Sequence, residues 1–103
     1  MIFVSVTTHD SRINLIEIKG HAGSGEYGND LVCAAVSAIS FGLCNALDLL
    51  DTDATISIGN NLIRIECNNP DEKLDTILQT GLIQLQTVQE QNNSYLNIKQ
   101  LEV

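Results

Sequence analysis

At 103 residues, 44% of them apolar, with a mean hydropathy of +0.08, the chain is sized for one core; wholesale disorder and a second domain are excluded. Five basic side chains against 13 acidic ones give a formal charge of −8. That excludes direct nucleic-acid binding, which needs clustered Lys and Arg, and favours basic proteins or peptides as partners.

Three cysteines cannot all pair within one chain, and none stands in a zinc-binding spacing. A reducing compartment is expected, with no metal and no cofactor.

Ile2 to Thr8 is rich in β-branched residues, with Ile2, Val4 and Val6 on one face, and reads as a strand. His9-Asp10-Ser11-Arg12 is a polar turn into a second strand, Ile13 to Lys19, which pairs back antiparallel. The apolar phase slips between Leu15 and Ile16, so a bulge or burial on both faces is expected. Gly20 to Gly28 then holds four of the seven glycines, an entropically costly segment to order unless something binds it.

Asn29 or Asp30 begins a long helix that runs to about Leu50 and is apolar nearly all round, which predicts cover on most sides. Its apolar stretch, Leu31 to Leu50, is long enough to raise a membrane question. Ser37, Ser40, Asn45 and Asp48 interrupt it, and neither end carries Lys or Arg. The opening Met-Ile-Phe-Val-Ser-Val has no secretory pattern. A soluble, cytoplasmic chain without membrane association is expected.

Asp51-Thr52-Asp53 breaks that helix, and Ala54 to Ser57 with Leu62 to Cys67 form a second hairpin around Gly59-Asn60-Asn61. Asn69-Pro70-Asp71-Glu72 starts a second helix, with Asn69 as cap and proline in its first position. Leu74, Ile77, Leu78, Leu82, Leu85 and Val88 lie along it at helical spacing, and Gln91-Asn92-Asn93 ends it. Ser94 to Leu101 is a last strand. The order ββαββαβ predicts an α+β fold, an antiparallel sheet with two helices, in a single domain over residues 1–103.

The chemistry points to the junction between the glycine-rich segment and the first helix. With Asp30 as cap, Cys33 lies in the first turn, and Asp30, Cys33 and Ser37 share one face at i, i+3 and i+7. A thiol there feels the positive end of the helix dipole, which favours thiolate, and the unpaired N–H groups suit an oxyanion. His21 precedes Cys33 by twelve residues. That chain spans up to roughly 40 Å extended, so the imidazole reaches the thiol easily. Cysteine with histidine in reach is the minimal set for acyl transfer. The same residues fit plainer roles: Cys33 as a small buried hydrophobe, Asp30 as a cap, Ser37 bonded to a carbonyl one turn back, His21 as a loop histidine. Cys44 and Cys67 read as core thiols.

Gly20-His21-Ala22, a glycine-rich spacer, then Gly28-Asn29-Asp30-Leu31-Val32-Cys33-Ala34-Ala35-Val36-Ser37 resembles the signature of the bacterial ribosomal-processing cysteine proteases, the Prp family. The resemblance extends to length and element order along the whole chain. It implies a homodimeric cytoplasmic endopeptidase that removes the short N-terminal extension of a large-subunit ribosomal protein. Carried over by position, Cys33 is the nucleophile and His21 the general base, with Asp30 and Ser37 in support. The loop Ala22 to Asn29, including Ala22, Gly23, Ser24, Gly25 and Gly28, would close over the substrate. The alternative is a non-catalytic acidic module that binds a ribosomal protein during ribosome assembly.

Overall fold

The computed structural model describes residues 1–20 and 31–103, together with the backbone of residues 27–30. The elements are β1 (Ile2–His9), β2 (Arg12–Gly20), α1 (Tyr27–Leu49), β3 (Ala54–Gly59), β4 (Leu62–Cys67), α2 (Glu72–Gln91) and β5 (Leu96–Glu102). The order is the expected ββαββαβ, an α+β fold with both helices packed into one core. The strands form one sheet in the order β3-β4-β2-β1-β5.

Three of the four pairings are antiparallel; β5 runs parallel to β1, which makes the sheet mixed. The crossover through α2 explains it. A helical crossover returns the chain in the direction of the strand it left, so β5 follows β4. Because β4 and β1 are both antiparallel to β2, β5 meets β1 parallel.

The β1–β2 turn places Asp10 and Ser11 at φ of 51° and 67°, the positive values a two-residue hairpin turn demands. The expected bulge is present, slightly earlier than the apolar slip indicates. Thr7 faces Leu15 and Thr8 faces Ile13, so Asn14 is the extra residue. It turns Ile13 and Ile16, both fully buried, onto the same face although they stand three residues apart. The Ile13 N–H at the bulge donates to Asp75 Oδ1 of α2 at 2.8 Å.

Both helix starts depart from expectation. Helix α1 begins at Tyr27, so Gly28 lies in its first turn and Asp30 inside the helix, where a residue does not serve as N-cap. Packing of a 23-residue helix offsets the roughly 1 kcal/mol that Gly28 costs. In α2 the cap is Asp71, whose carboxylate accepts from the Leu74 N–H at 2.8 Å; Asn69 and Pro70 precede it. At the far end of α1, Asp51 takes φ of 56°, and the Thr52 N–H donates back to the Leu47 carbonyl at 3.2 Å. That is a Schellman-type stop with Asp in place of the usual Gly.

Helix α1 is also less covered than its composition predicts. Only 33% of the Leu31–Leu49 stretch is buried. Val32, Val36, Ser40, Leu43, Cys44 and Leu47 face inward, while Leu31, Phe41 and Leu49 are exposed. The core itself joins that inner stripe to Leu74, Leu78, Leu82 and Leu85 of α2 and to Val4, Val6, Ile16, Ile65 and Leu96 of the sheet. Helices α1 and α2 meet closely at Gly81, where a Cβ would stand 2.8 Å from the Leu43 side chain.

Candidate active site

Strand β2 ends at Gly20, opposite Ile2, and the Gly20 N–H donates to the Asn61 carbonyl at 3.1 Å. Its φ is +94°, and a Cβ there would lie 2.6 Å from the Met1 carbonyl oxygen. Glycine alone fits at this last position of β2, which immediately precedes His21 in the sequence. The β2–β4 pairing, Lys19 opposite Leu62, brings the tip of the second hairpin alongside. Asn61 holds that tip with φ of 60°.

The front of α1 crosses above this junction and leaves a cleft of about 330 Å³. Helix α1 contributes Cys33, Val36, Ser37, Ser40 and Phe41. The sheet contributes Ile2, Ile18, Gly20 and Ile63, and the hairpin Ile58, Gly59, Asn61 and Leu62. A volume in this range suits a peptide side chain or two, held by apolar walls with a few polar atoms.

The three cysteines occupy two kinds of surroundings. Cys33 is partly exposed and lines the cleft. Cys44 and Cys67 are buried in the core, as expected. Burial pushes the Cys44 thiol above its ordinary range. Burial, with the Asp75 and Glu66 carboxylates adding, pushes Cys67 up to about 11. Neither is equipped as a nucleophile at neutral pH.

Of the residues singled out in the sequence, Cys33 and Ser37 meet in this cleft, one helical turn apart, and Ser37 is exposed. Asp30 lies one turn before Cys33 on the same helix. His21 and the loop residues Ala22, Gly23, Ser24 and Gly25 lie outside the described residues. Because α1 starts at Tyr27, Cys33 stands in the second turn, beyond the four N–H groups that a helix leaves free. The first-turn dipole argument for Cys33 therefore does not hold, since that field fades within one turn.

Ser40, Phe41 and the hairpin residues Ile58, Asn61 and Leu62 were not among the sequence candidates. Ser40 carried a faint signal as a polar interruption in an apolar run; the hairpin residues carried none, since only strand pairing brings them to α1. A larger groove of about 550 Å³ runs between α1 and α2, past Ala38, Gly42, Ala46, Ile77 and Gly81, with no titratable side chain among the described residues on its walls. Among the described residues no cluster of His, Cys, Asp and Glu is able to hold a metal ion.

Residues 1–97 match the family model for cysteine protease Prp. The ribosomal processing cysteine protease Prp of Staphylococcus aureus (strain Mu50) is 36% identical over 105 aligned residues, which cover 95% of this chain and 97% of that one. A crystal structure of the Staphylococcus aureus ribosomal processing protease with a covalently linked product peptide superposes with a TM-score of 0.88 at 33% identity. A second, with a substrate peptide, gives 0.87 at 32%. Each comparison spans 97% of this chain and 99% of the other. A profile match from residue 1 to 97, joined to a relative alike along nearly both full lengths, makes this chain a member of the Prp family of cysteine proteases.

Proposed function

We propose that this protein is an endopeptidase, a single domain over residues 1–103, that removes the short N-terminal extension of a large-subunit ribosomal protein. Cys33 is its nucleophile and His21 its general base. One observation carries the assignment of the nucleophile: of the three thiols, Cys33 alone is both partly exposed and on the wall of a cleft. Chain connectivity supports His21 as its partner. Gly20 lines the same cleft, and the next Cα follows at about 3.8 Å.

The chemistry runs in two halves. His21 takes the Cys33 proton, the sulfur attacks the peptide carbonyl carbon, and the C–N bond breaks as the imidazolium protonates the leaving amine. A thioester to the N-terminal fragment remains. Water then gives its proton to His21, attacks the thioester carbon and expels the thiolate. The product peptide held covalently in the Staphylococcus aureus structure accords with such a linkage. Asp30 and Ser37, three residues before and four after Cys33 on α1, support the site. Ala22, Gly23, Ser24 and Gly25 flank the substrate, and Gly28, in the first turn of α1, borders that segment.

The net charge of −8 suits a basic ribosomal protein in the cytoplasm, where the thiols stay reduced. The exposed apolar residues along α1 and α2, among them Ala38, Leu49 and Ile83, support a homodimer. Incubation of the chain with a large-subunit ribosomal protein bearing a bulky apolar leader tests the reading by mass spectrometry. Removal of the leader by the native chain and none by Cys33→Ala is expected. Full cleavage by Cys33→Ala would overturn it, and no cleavage by the native chain would leave a binding module.

A further inference from the structure

The cleft contains a buried polar group that the proposed chemistry does not use. Ser40 is 1% exposed, lines the cleft, and its Oγ has no hydrogen-bond partner among the described residues. A helical serine ordinarily bonds the carbonyl one turn back, as Thr80 does to Thr76 and Thr87 to Ile83 in α2. Ser40 does not. A buried hydroxyl left without a partner is costly, so its position at the floor of a binding cleft calls for an incoming group.

The surroundings define that group. Ser40 follows Cys33 by seven residues, which puts the two within about 20° on the helix and about 10 Å apart along it. About three residues of extended peptide cover that distance. Val36, Phe41, Ile58 and Ile63 line the same cleft and are apolar. A peptide backbone passing outside the cleft does not reach an oxygen this deeply buried; only a side chain entering it does. A serine hydroxyl both donates and accepts, so either an O–H or an amide at the end of the visiting side chain satisfies it.

We infer that Ser40 is a specificity-determining residue: its hydroxyl hydrogen-bonds the polar tip of a substrate side chain with an apolar body, such as tyrosine or glutamine, about three residues from the scissile bond. The inference rests on the peptidase reading of this cleft and adds a preference to it. A cleft built only for hydrocarbon would accept phenylalanine and methionine equally well.

The test uses an apolar ten-residue peptide in which each position in turn is Phe or Tyr, or Met or Gln. Binding is measured by fluorescence anisotropy to Cys33→Ala and to the Cys33→Ala, Ser40→Ala double variant, which removes turnover from the comparison. At one position, Tyr over Phe or Gln over Met should be favoured by about 3- to 10-fold more with the hydroxyl than without it. Equal ratios in the two proteins at every position, or no binding by any peptide in the set, would overturn the inference. Turnover of the same peptides by the native chain reports on Cys33 separately. A Ser40-dependent preference without turnover would uphold the Ser40 contact and defeat the proposed nucleophile.

Discussion

Between Leu43 and Leu47, α1 turns Leu43, Cys44 and Leu47 into the core, with Leu43 and Cys44 each 6% exposed and Leu47 1%. Ten residues earlier the same helix borders an open cleft, where Cys33 is partly exposed and Ser37 exposed. Both halves are apolar and each carries a thiol, so composition does not separate them. What faces them does. Gly81 lets α2 close onto Leu43, whereas β2 ends at Gly20 and the second hairpin turns back at Asn61, which leaves about 330 Å³ in front of Cys33. Cleft position and core position are thus set by neighbouring elements rather than by the helix itself.

Truncation should break this contrast at the rear and barely register at the front. Leu47→Ala is expected to cost about 2–5 kcal/mol in urea unfolding, while exposed Ser37→Ala stays within about 0.5 kcal/mol. Similar costs at the two sites would erase the distinction.

The core thiols add a dependence on pH. Cys67 is 9% exposed, and the fold raises its thiol from an ordinary 9.0 to about 11. The folded state therefore favours the neutral thiol. Its contribution is complete below pH 9 and disappears as the pH rises through about 11. Urea stability should fall across that window by on the order of 2 kcal/mol, and Cys67→Ala should flatten the decline. A profile as steep in Cys67→Ala as in the native chain would contradict this.

At the mouth of the cleft, Gly20→Ala meets both a positive φ and the Met1 carbonyl, so a loss of about 1–3 kcal/mol is expected by thermal unfolding. The smallest effect has the opposite sign. Ser40→Ala removes a buried unpaired hydroxyl and should stabilise the unliganded chain by about 1 kcal/mol. A loss of stability there would mean that the hydroxyl already holds a partner in the folded chain.

All seven elements were legible in the sequence, because β-branched runs, turn residues and the leucine spacing of α2 each follow from local backbone preferences. Boundaries resolved less well where two local signals competed. Gly28 argues against a helix and Asp30 argues for a cap, yet packing of the residues beyond carries α1 back to Tyr27. Pro70 and Asn69 likewise drew the α2 cap away from Asp71, whose carboxylate reaches the Leu74 N–H. The direction of β5 was implicit in the crossover through α2. The motif around Cys33 pointed to the front of α1, but the walls of the cleft there did not show, since Ile58, Asn61 and Leu62 reach α1 only through strand pairing more than twenty residues from Cys33 along the chain.

The central claim is that Cys33 alone of the three thiols is placed to react, and competitive alkylation tests it most directly. The native chain is treated with substoichiometric iodoacetamide at pH 7 and the label on Cys33, Cys44 and Cys67 is read by peptide mass spectrometry. Label should accumulate first on Cys33 and reach the other two only after unfolding, and His21→Ala should slow it. Equal, slow labelling of all three cysteines in the folded chain would contradict the account.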